Sequence, residues 1–213
     1  MTSHTVADTF LSLFEKSGLL CAEEISAADA KFDLHGKSSA EEIARALVDG
    51  NVLTLWQASR LLNGRYRGFF LDEYMLLKIL GAGGMGRLYL ARERSSGVKY
   101  VVKILLDRHK EDRGMLTRLQ FEAQAGMKIK HPHIIRTLKL EKTRDVREIP
   151  YIVMEFVEGI SLDELVMHSG RCSVEQACDF IRQAATGLHH AHQSGLIHRD
   201  IKPANLWWIA MAR

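Results

Sequence analysis

The sequence has few cysteines and no long apolar run, and these shortages exclude several classes of protein. Its three cysteines, Cys21, Cys172 and Cys178, are scattered and odd in number. This usage favours reduced thiols in the cytoplasm over a disulfide framework. No apolar run approaches the roughly 18 residues of a membrane helix, so no membrane span is predicted. The first residues lack a basic stretch followed by an apolar core, so no secretory signal is predicted either.

Clustered charge is also lacking. Residues 1–72 carry 7 Lys/Arg against 10 Asp/Glu, and the remaining residues carry 22 against 16. The basic residues of the second part are dispersed, whereas a nucleic-acid-binding surface needs a basic patch or stripe. We therefore expect no nucleic-acid partner. With 46% hydrophobic and 26% charged residues, the chain is typical of a globular protein.

Local signals in residues 1–62 predict short helices. Val6, Phe10 and Phe14 share one helical face, and Gly18 follows as a stop signal. Capping-box patterns, in which Ser or Thr stands three residues before Glu or Gln, occur twice in this segment, at Ser39-x-x-Glu42 and at Thr54-x-x-Gln57. Nothing in this segment carries chemistry, so a small helical bundle or docking element is the expectation.

From Tyr74 onward the pattern becomes that of strands mixed with helices. The runs "YMLLKILG", "RLYLARE" and "KYVVKILL" are strand-like, as are residues 134–140 and 150–156. Residues 115–130 are predicted to form a helix. Further helices are predicted to begin at the capping boxes Ser161-x-x-Glu164 and Ser173-x-x-Gln176, the second running to Gly195.

A glycine-rich segment separates the first two strand-like runs. Gly81, Gly83 and Gly86, here called the glycine loop, form a G-x-G-x-x-G pattern. A Rossmann loop with this spelling leads into a helix, whereas this one leads into a strand. Such a loop between two strands can cover phosphate groups with its backbone N–H groups. It can equally be a tight hairpin that binds nothing.

Two charged residues follow in the next predicted elements. Lys103 lies within an apolar strand, where a lysine needs a partner or a route to the surface. It could reach phosphates under the glycine loop, with Glu122 of the next helix holding its ammonium group. The alternatives are an edge lysine extending to solvent and an ordinary exposed helix glutamate.

Near the end of the sequence, "HRDIKPAN" places Asp200, Lys202 and Asn205 within six residues. An Asp, a Lys and an Asn so close together could serve phosphoryl transfer, or could form a polar loop. The nearby His189, His190 and His192 could suggest a metal site, but no matching Cys/His set lies elsewhere, so a zinc site is not expected.

Five stretches together resemble a protein kinase of the eukaryotic-like serine/threonine type found in bacteria. They are "LGAGGMGRLYLA", "YVVKILL", "FEAQAGMKIKHPHIIR", "YIVMEFVEGISL" and "GLHHAHQSGLIHRDIKPANL", in the family's order. The resemblance implies an α+β fold, with an antiparallel sheet plus one helix as the small lobe. The small lobe would span about 73–157 and the start of the large lobe about 158–213. Residues 1–72 would be a helical extension.

The resemblance also implies a nucleotide site for ATP. The glycine loop would cover the phosphates, and Leu88 would pack on adenine. Lys103 would bind the α- and β-phosphates and pair with Glu122. The backbones of Glu155 and Val157 would bond the adenine edge.

The same resemblance implies roles for the "HRDIKPAN" segment, here called the catalytic loop (residues 198–205). Asp200 would accept the proton of a substrate hydroxyl, Lys202 would steady the γ-phosphate, and Asn205 would hold one Mg²⁺. The partner would be a protein substrate or an intact kinase.

Several residues depart from the family pattern. Val101 stands where the family has alanine, Gly126 where many members have leucine, and Trp207 where a small aliphatic side chain lies under adenine. No Asp-x-Gly follows Asn205, so the second Mg²⁺ ligand is missing from these residues. The expectation is a kinase truncated after its catalytic loop, weakly active or inactive. The alternative is a non-catalytic nucleotide-binding or protein-interaction module.

Overall fold

The computed structural model describes residues 2–83, 86–105, 112–146 and 148–209. Gly84 and Met85, which were predicted to belong to the glycine-rich segment, lie outside the described residues. The chain divides into two compact units, Met1–Ile104 with Thr143–Glu148 and Leu105–Lys142 with Ile149–Arg213. Each unit has a hydrophobic interior of its own. Among the described residues, no helix is both long and apolar enough to cross a membrane.

Residues 2–62 of the first unit are mainly helical, as their pattern predicts. The helices are α1 (Thr2–Ser17), α2 (Ala22–Phe32), α3 (Ala40–Asp49) and α4 (Leu55–Leu62). Helix α1 ends before Gly18, whose φ of 66° is a conformation that glycine adopts without steric cost. The apolar faces meet in one cluster around Phe14, Ile43, Leu47 and Leu61, which are at most 1% exposed.

The strands of the first unit follow these helices. They are β1 (Phe70–Leu71), β2 (Tyr74–Ala82), β3 (Gly86–Glu93) and β4 (Lys99–Leu105), arranged side by side in that order. Strands β1 and β2 are antiparallel, as are β2 and β3. Phe69, just before β1, belongs to the helical cluster, and Phe70 and Met75 pack against it. The helices and the first strands therefore share one core.

The second unit contains the remaining elements. They are α5 (Arg113–Lys128), β5 (Thr137–Lys142), β6 (Pro150–Glu155), β7 (Ile160–Ser161), α6 (Leu162–Ser169), α7 (Val174–Gln193) and β8 (Trp207–Trp208). Strands β5 and β6 form an antiparallel pair, and so do β7 and β8. Leu105, Leu119, Ala123 and Ile152 form a buried cluster between α5 and the strands.

The fold is α+β, with an antiparallel sheet and helices, as predicted. One local prediction needs correction. Strand β5 begins at Thr137 and not at residue 134, because Ile134 closes a turn by donating its N–H to the carbonyl of His131. Trp207 and Trp208 form strand β8 against Ile160 and Ser161.

Candidate active site

The glycine loop lies at the end of the β2–β3 hairpin. Gly81 pairs with Leu88, and the N–H of Gly83 donates to the carbonyl of Gly86 over 2.9 Å. Neither Gly81 nor Gly83 has a positive φ. A Cβ atom added at either position would have no heavy atom within 4 Å. Neither backbone strain nor packing therefore explains these glycines, which fits a surface that another molecule approaches closely.

Leu88 and Lys103 lie on the strands beside the loop. Leu88 is half-buried in β3, two residues after Gly86. Lys103 is half-buried in β4, next to the fully buried Val102. Such a lysine has its stem in an apolar layer and its ammonium group directed toward a polar environment. The first unit thus carries the glycine loop, Leu88 and Lys103.

The second unit carries the other predicted nucleotide residues. Glu122 is exposed on α5. Glu155 is the last residue of β6, and the half-buried Val157 lies two residues after it. The N–H of Glu155 donates to the carbonyl of Arg136 over 3.0 Å, and the N–H of Arg136 returns a bond to Glu155 Oε1 over 2.7 Å. An adenine contact at Glu155 would therefore use its backbone carbonyl.

The structure brings together the three predicted residues of the catalytic loop. Lys202 Nζ lies 3.0 Å from Asp200 Oδ2. The amide nitrogen of Asn205 donates to the same Oδ2 over 3.0 Å and to the Asp200 carbonyl over 2.8 Å. A short 3₁₀ turn, Pro203–Asn205, carries the asparagine back toward the aspartate. Proline suits the start of such a turn because its φ is already fixed.

The backbone before Asp200 is unusual. Arg199 has a φ of 64°, in the left-handed region that a non-glycine residue rarely adopts. The N–H of Asp200 donates to His198 Nδ1 over 3.3 Å. Strained residues of this kind occur often at functional sites. Here the turn at Arg199 directs the side chain of the next residue toward Lys202 and Asn205.

The ionisation state of Asp200 follows from these contacts. The hydrogen bond from Lys202 lowers the pKa of the Asp200 carboxyl below its ordinary value, and the bond from Asn205 adds to this effect. Opposite charge and donated hydrogen bonds both favour the ionised form. Asp200 is therefore a carboxylate at neutral pH, which is the form that accepts a proton.

The strand pair β7–β8 adjoins the catalytic loop, since β8 follows the loop along the chain and is hydrogen-bonded to β7. The N–H of Leu162 donates to the carbonyl of Leu206 over 2.8 Å, one residue after Asn205. Trp207 is 38% exposed. A Cβ atom at Gly159 would collide with the carbonyl oxygen of Trp208, so glycine is needed for this close approach. Strands of two residues are too short to show an alternating pattern in the sequence.

One histidine of α7 packs against another histidine ring. His190 stacks on His131 with ring centroids 5.2 Å apart, and His131 also contacts His133. Burial lowers the pKa of His131, and the neighbouring histidines lower it further. No group of three or more metal-binding side chains is present in the part of the chain that the structure describes.

The α+β fold carries a glycine-rich hairpin and a loop in which Lys202 and Asn205 both contact Asp200, and this combination suits phosphoryl transfer. The protein kinase domain family matches residues 74–209, more than half of the chain. The chain therefore belongs to the protein kinase family.

Similar proteins are bacterial serine/threonine kinases. PrkC of Bacillus subtilis (strain 168) is 35% identical over 134 residues, which are 63% of this chain and 20% of PrkC. PknB of Mycobacterium tuberculosis (strain ATCC 25618 / H37Rv) is 37% identical over 136 residues, 63% of this chain and 22% of PknB. The chain thus spans about a fifth of the length of these curated relatives.

A solved structure has the same fold. The crystal structure of the Mycobacterium tuberculosis PknI kinase domain matches with a TM-score of 0.55 at 26% identity. The match covers 67% of this chain and 58% of that chain.

Proposed function

We propose that this chain supplies the ATP-binding residues and the catalytic loop of a serine/threonine protein kinase. Protein kinases use ATP and Mg²⁺. The observation that carries the proposal is the contact of Lys202 and Asn205 with the same carboxylate oxygen of Asp200. Catalysis of phosphoryl transfer depends on positioning and electrostatics, and this loop provides both.

Each residue of the catalytic loop has a role that its contacts support. Asp200 is held ionised and would accept the proton of a serine or threonine hydroxyl. Lys202 places a cation beside that carboxylate, where it would steady a transferring phosphoryl group. Asn205 directs its amide nitrogen toward Asp200, so its carbonyl oxygen, an atom type that Mg²⁺ prefers, is at the other side of the amide.

The nucleotide residues have roles that the resemblance assigns one by one. The glycine loop would lie over the phosphates, and Leu88 would pack on adenine. Lys103 would bind phosphate oxygens and pair with Glu122. The backbones of Glu155 and Val157 would bond the adenine edge. When bound, ATP supplies the phosphoryl group and Mg²⁺ neutralises its developing charge.

The second candidate function is a non-catalytic nucleotide-binding or protein-interaction module that docks on an intact kinase. It is favoured by one observation: no Asp-x-Gly follows Asn205 in these 213 residues. That aspartate holds a catalytic Mg²⁺ in kinases, so we expect phosphoryl transfer by this polypeptide alone to be near background. The location in the cytoplasm, inferred from cysteine usage, and the boundary between residues 72 and 73 remain predictions.

A chimera tests the proposed function. Residues 1–205 are joined to the part of the PknB kinase domain that follows its catalytic loop, and autophosphorylation is measured. We expect transfer that falls at least about 100-fold in Asp200→Asn, because a positioned proton acceptor typically contributes that much. The matched control is Asp163→Asn, an exposed carboxylate on α6, which should retain activity. Equal activity in Asp200→Asn and Asp163→Asn would contradict the assignment.

A further inference from the structure

Strand β2 has two irregularities in the hairpin that carries the glycine loop. Its pairing with β3 shifts between Leu76 and Lys78, and again between Ile79 and Gly81. At the first shift, Leu77 has no partner residue across the strands. A bulge of this kind disrupts the ladder locally, and the backbone groups it releases need other hydrogen-bond partners.

Helix α4 supplies those partners. The side-chain amide of Gln57 donates to the carbonyl of Leu76 over 2.9 Å, and the hydroxyl of Thr54 donates to the carbonyl of Leu77. Gln57 is only 2% exposed. The two side chains therefore satisfy both carbonyls at the bulge from inside the protein.

The same two residues begin the helix. Gln57 Oε1 accepts the N–H of Thr54 over 2.9 Å, and Thr54 Oγ1 accepts the N–H of Gln57 over 3.2 Å. A glutamate at position 57 could accept the same N–H, since capping boxes use Glu or Gln. Only an amide can also donate to Leu76. The helix start alone does not require glutamine, whereas the contact with β2 does.

A third contact reaches the other strand of the hairpin. The ring of Trp56 lies edge-on to Tyr89 of β3, with centroids 5.8 Å apart. Tyr89 pairs with Ile79, at the edge of the second irregularity. The guanidinium of Arg60 lies 5.3 Å above the Trp56 ring. Helix α4 therefore contacts both strands of the hairpin, a few residues before and after the glycine loop.

We propose that α4 is a brace that fixes the glycine hairpin and thereby strengthens nucleotide binding, with Gln57 as a positioning residue that does not touch the nucleotide. The pairing of β2 with β3 is interrupted twice, and each irregularity locally disrupts the ladder that holds the glycine loop. Holding it in one conformation before binding lowers the ordering cost that binding must meet. The helical segment is then a means of adjusting ATP affinity. This inference rests on the proposed function.

The test uses Gln57→Glu in the full chain. This change keeps the capping acceptor but replaces the donor to Leu76 with a carboxylate oxygen. The matched control is Gln176→Glu, the same change in the capping box of α7, where Gln176 is exposed and accepts the N–H of Ser173. Affinity for a fluorescent ATP analogue with Mg²⁺ is measured well below the melting temperature. Hydrogen–deuterium exchange is followed in peptides from residues 74–93 and 174–193.

We expect Gln57→Glu to weaken nucleotide binding about two- to tenfold, the range that one lost hydrogen bond produces. Exchange should accelerate in residues 74–93 and stay unchanged in 174–193, and Gln176→Glu should behave as wild type. The proposed role of α4 would be contradicted by any one of three results: unchanged affinity in Gln57→Glu, an equal loss of affinity in Gln176→Glu, or faster exchange throughout the chain. A wild-type chain that binds no nucleotide would instead refute the proposed function itself, which separates the two failures.

Discussion

At the scale of single residues, Gly126 shows why a departure from the family pattern need not be a defect. This glycine of α5 faces Thr137 of β5. A Cβ atom at position 126 would lie 3.0 Å from Thr137 Cβ and closer still to its hydroxyl oxygen. Threonine is β-branched and stiff, so it cannot easily move away. The leucine that many kinases carry here would therefore not fit against Thr137.

This contact predicts the effect of Gly126→Ala. Alanine should gain up to about 1 kcal/mol in helix propensity, but overpacking typically costs about 1–3 kcal/mol. We expect the free energy of unfolding to fall by up to about 2 kcal/mol, measured by urea denaturation. Adding Thr137→Ala should recover most of the loss, because the two changes act through one contact. A Gly126→Ala protein more stable than wild type would show that the contact relaxes at no cost.

At the scale of elements, the C-terminal end of α2 is stabilised by a carboxylate that contacts the residues after the helix. Asp33 adopts a left-handed φ of 49° beyond the last turn. Asp29 Oδ1 accepts the N–H of Leu34 over 2.9 Å and of His35 over 3.2 Å, and its Oδ2 lies 2.9 Å from His35 Nδ1. The hydrogen bond with Asp29 raises the pKa of His35, and the same bond lowers the pKa of Asp29.

This pair predicts a window of pH in which it stabilises the fold. The raised pKa of His35 gives stability that is fully present below about pH 6.5 and is lost as pH rises through the folded-state value. The lowered pKa of Asp29 gives stability that is present above about pH 3.9 and is lost as pH falls. We expect His35→Gln to lower the melting temperature slightly at pH 5 to 6 and not at pH 8.5. His35 is exposed and Asp29 is only half-buried, so solvent screens the pair and the effect is small.

The control for this prediction is the Asp29→Asn background. There, His35→Gln should have no pH-dependent effect on the melting temperature. A pH dependence that persists without Asp29 would assign the effect to another group.

Helix starts were the most predictable elements, because a cap is local in sequence. The boxes at Thr54, Ser161 and Ser173 form as their patterns predict. At Ser39 the box is incomplete: its side chain accepts the N–H of Glu42, but the Glu42 carboxylate bonds to Ser38 instead. A second serine beside the cap competes for the same carboxylate, and the pattern alone does not rank the two.

Contacts between distant elements were not predictable in this way. The pattern at Thr54 and Gln57 predicts a cap but not their bonds to β2, whose acceptor residues lie 23 residues after Thr54 and 19 residues after Gln57. The two-residue strands β7 and β8 are too short to carry a periodic signal. The glycine loop and the catalytic loop are recognisable in the sequence because each is a pattern of a few adjacent residues.

At the scale of the whole molecule, the helical segment and the glycine hairpin belong to one compact unit, while the catalytic loop belongs to the other. The first unit joins residues with no predicted chemistry to residues predicted to cover phosphates. This arrangement places a candidate adjusting element against the two strands that carry the glycine loop. The chain belongs to the protein kinase family, and we propose that these residues bind ATP.

A titration with a fluorescent ATP analogue in the presence of Mg²⁺ tests this binding. Three full-length proteins are compared: wild type, Lys103→Met and Lys99→Met, the last an exposed lysine at the start of the same strand. We predict saturable binding by wild type and Lys99→Met, and binding weakened about 10- to 100-fold in Lys103→Met, as expected for a lost contact with a charged group. Circular dichroism should be the same for all three. Equal affinity of the three proteins, or no saturable binding by wild type, would contradict the account.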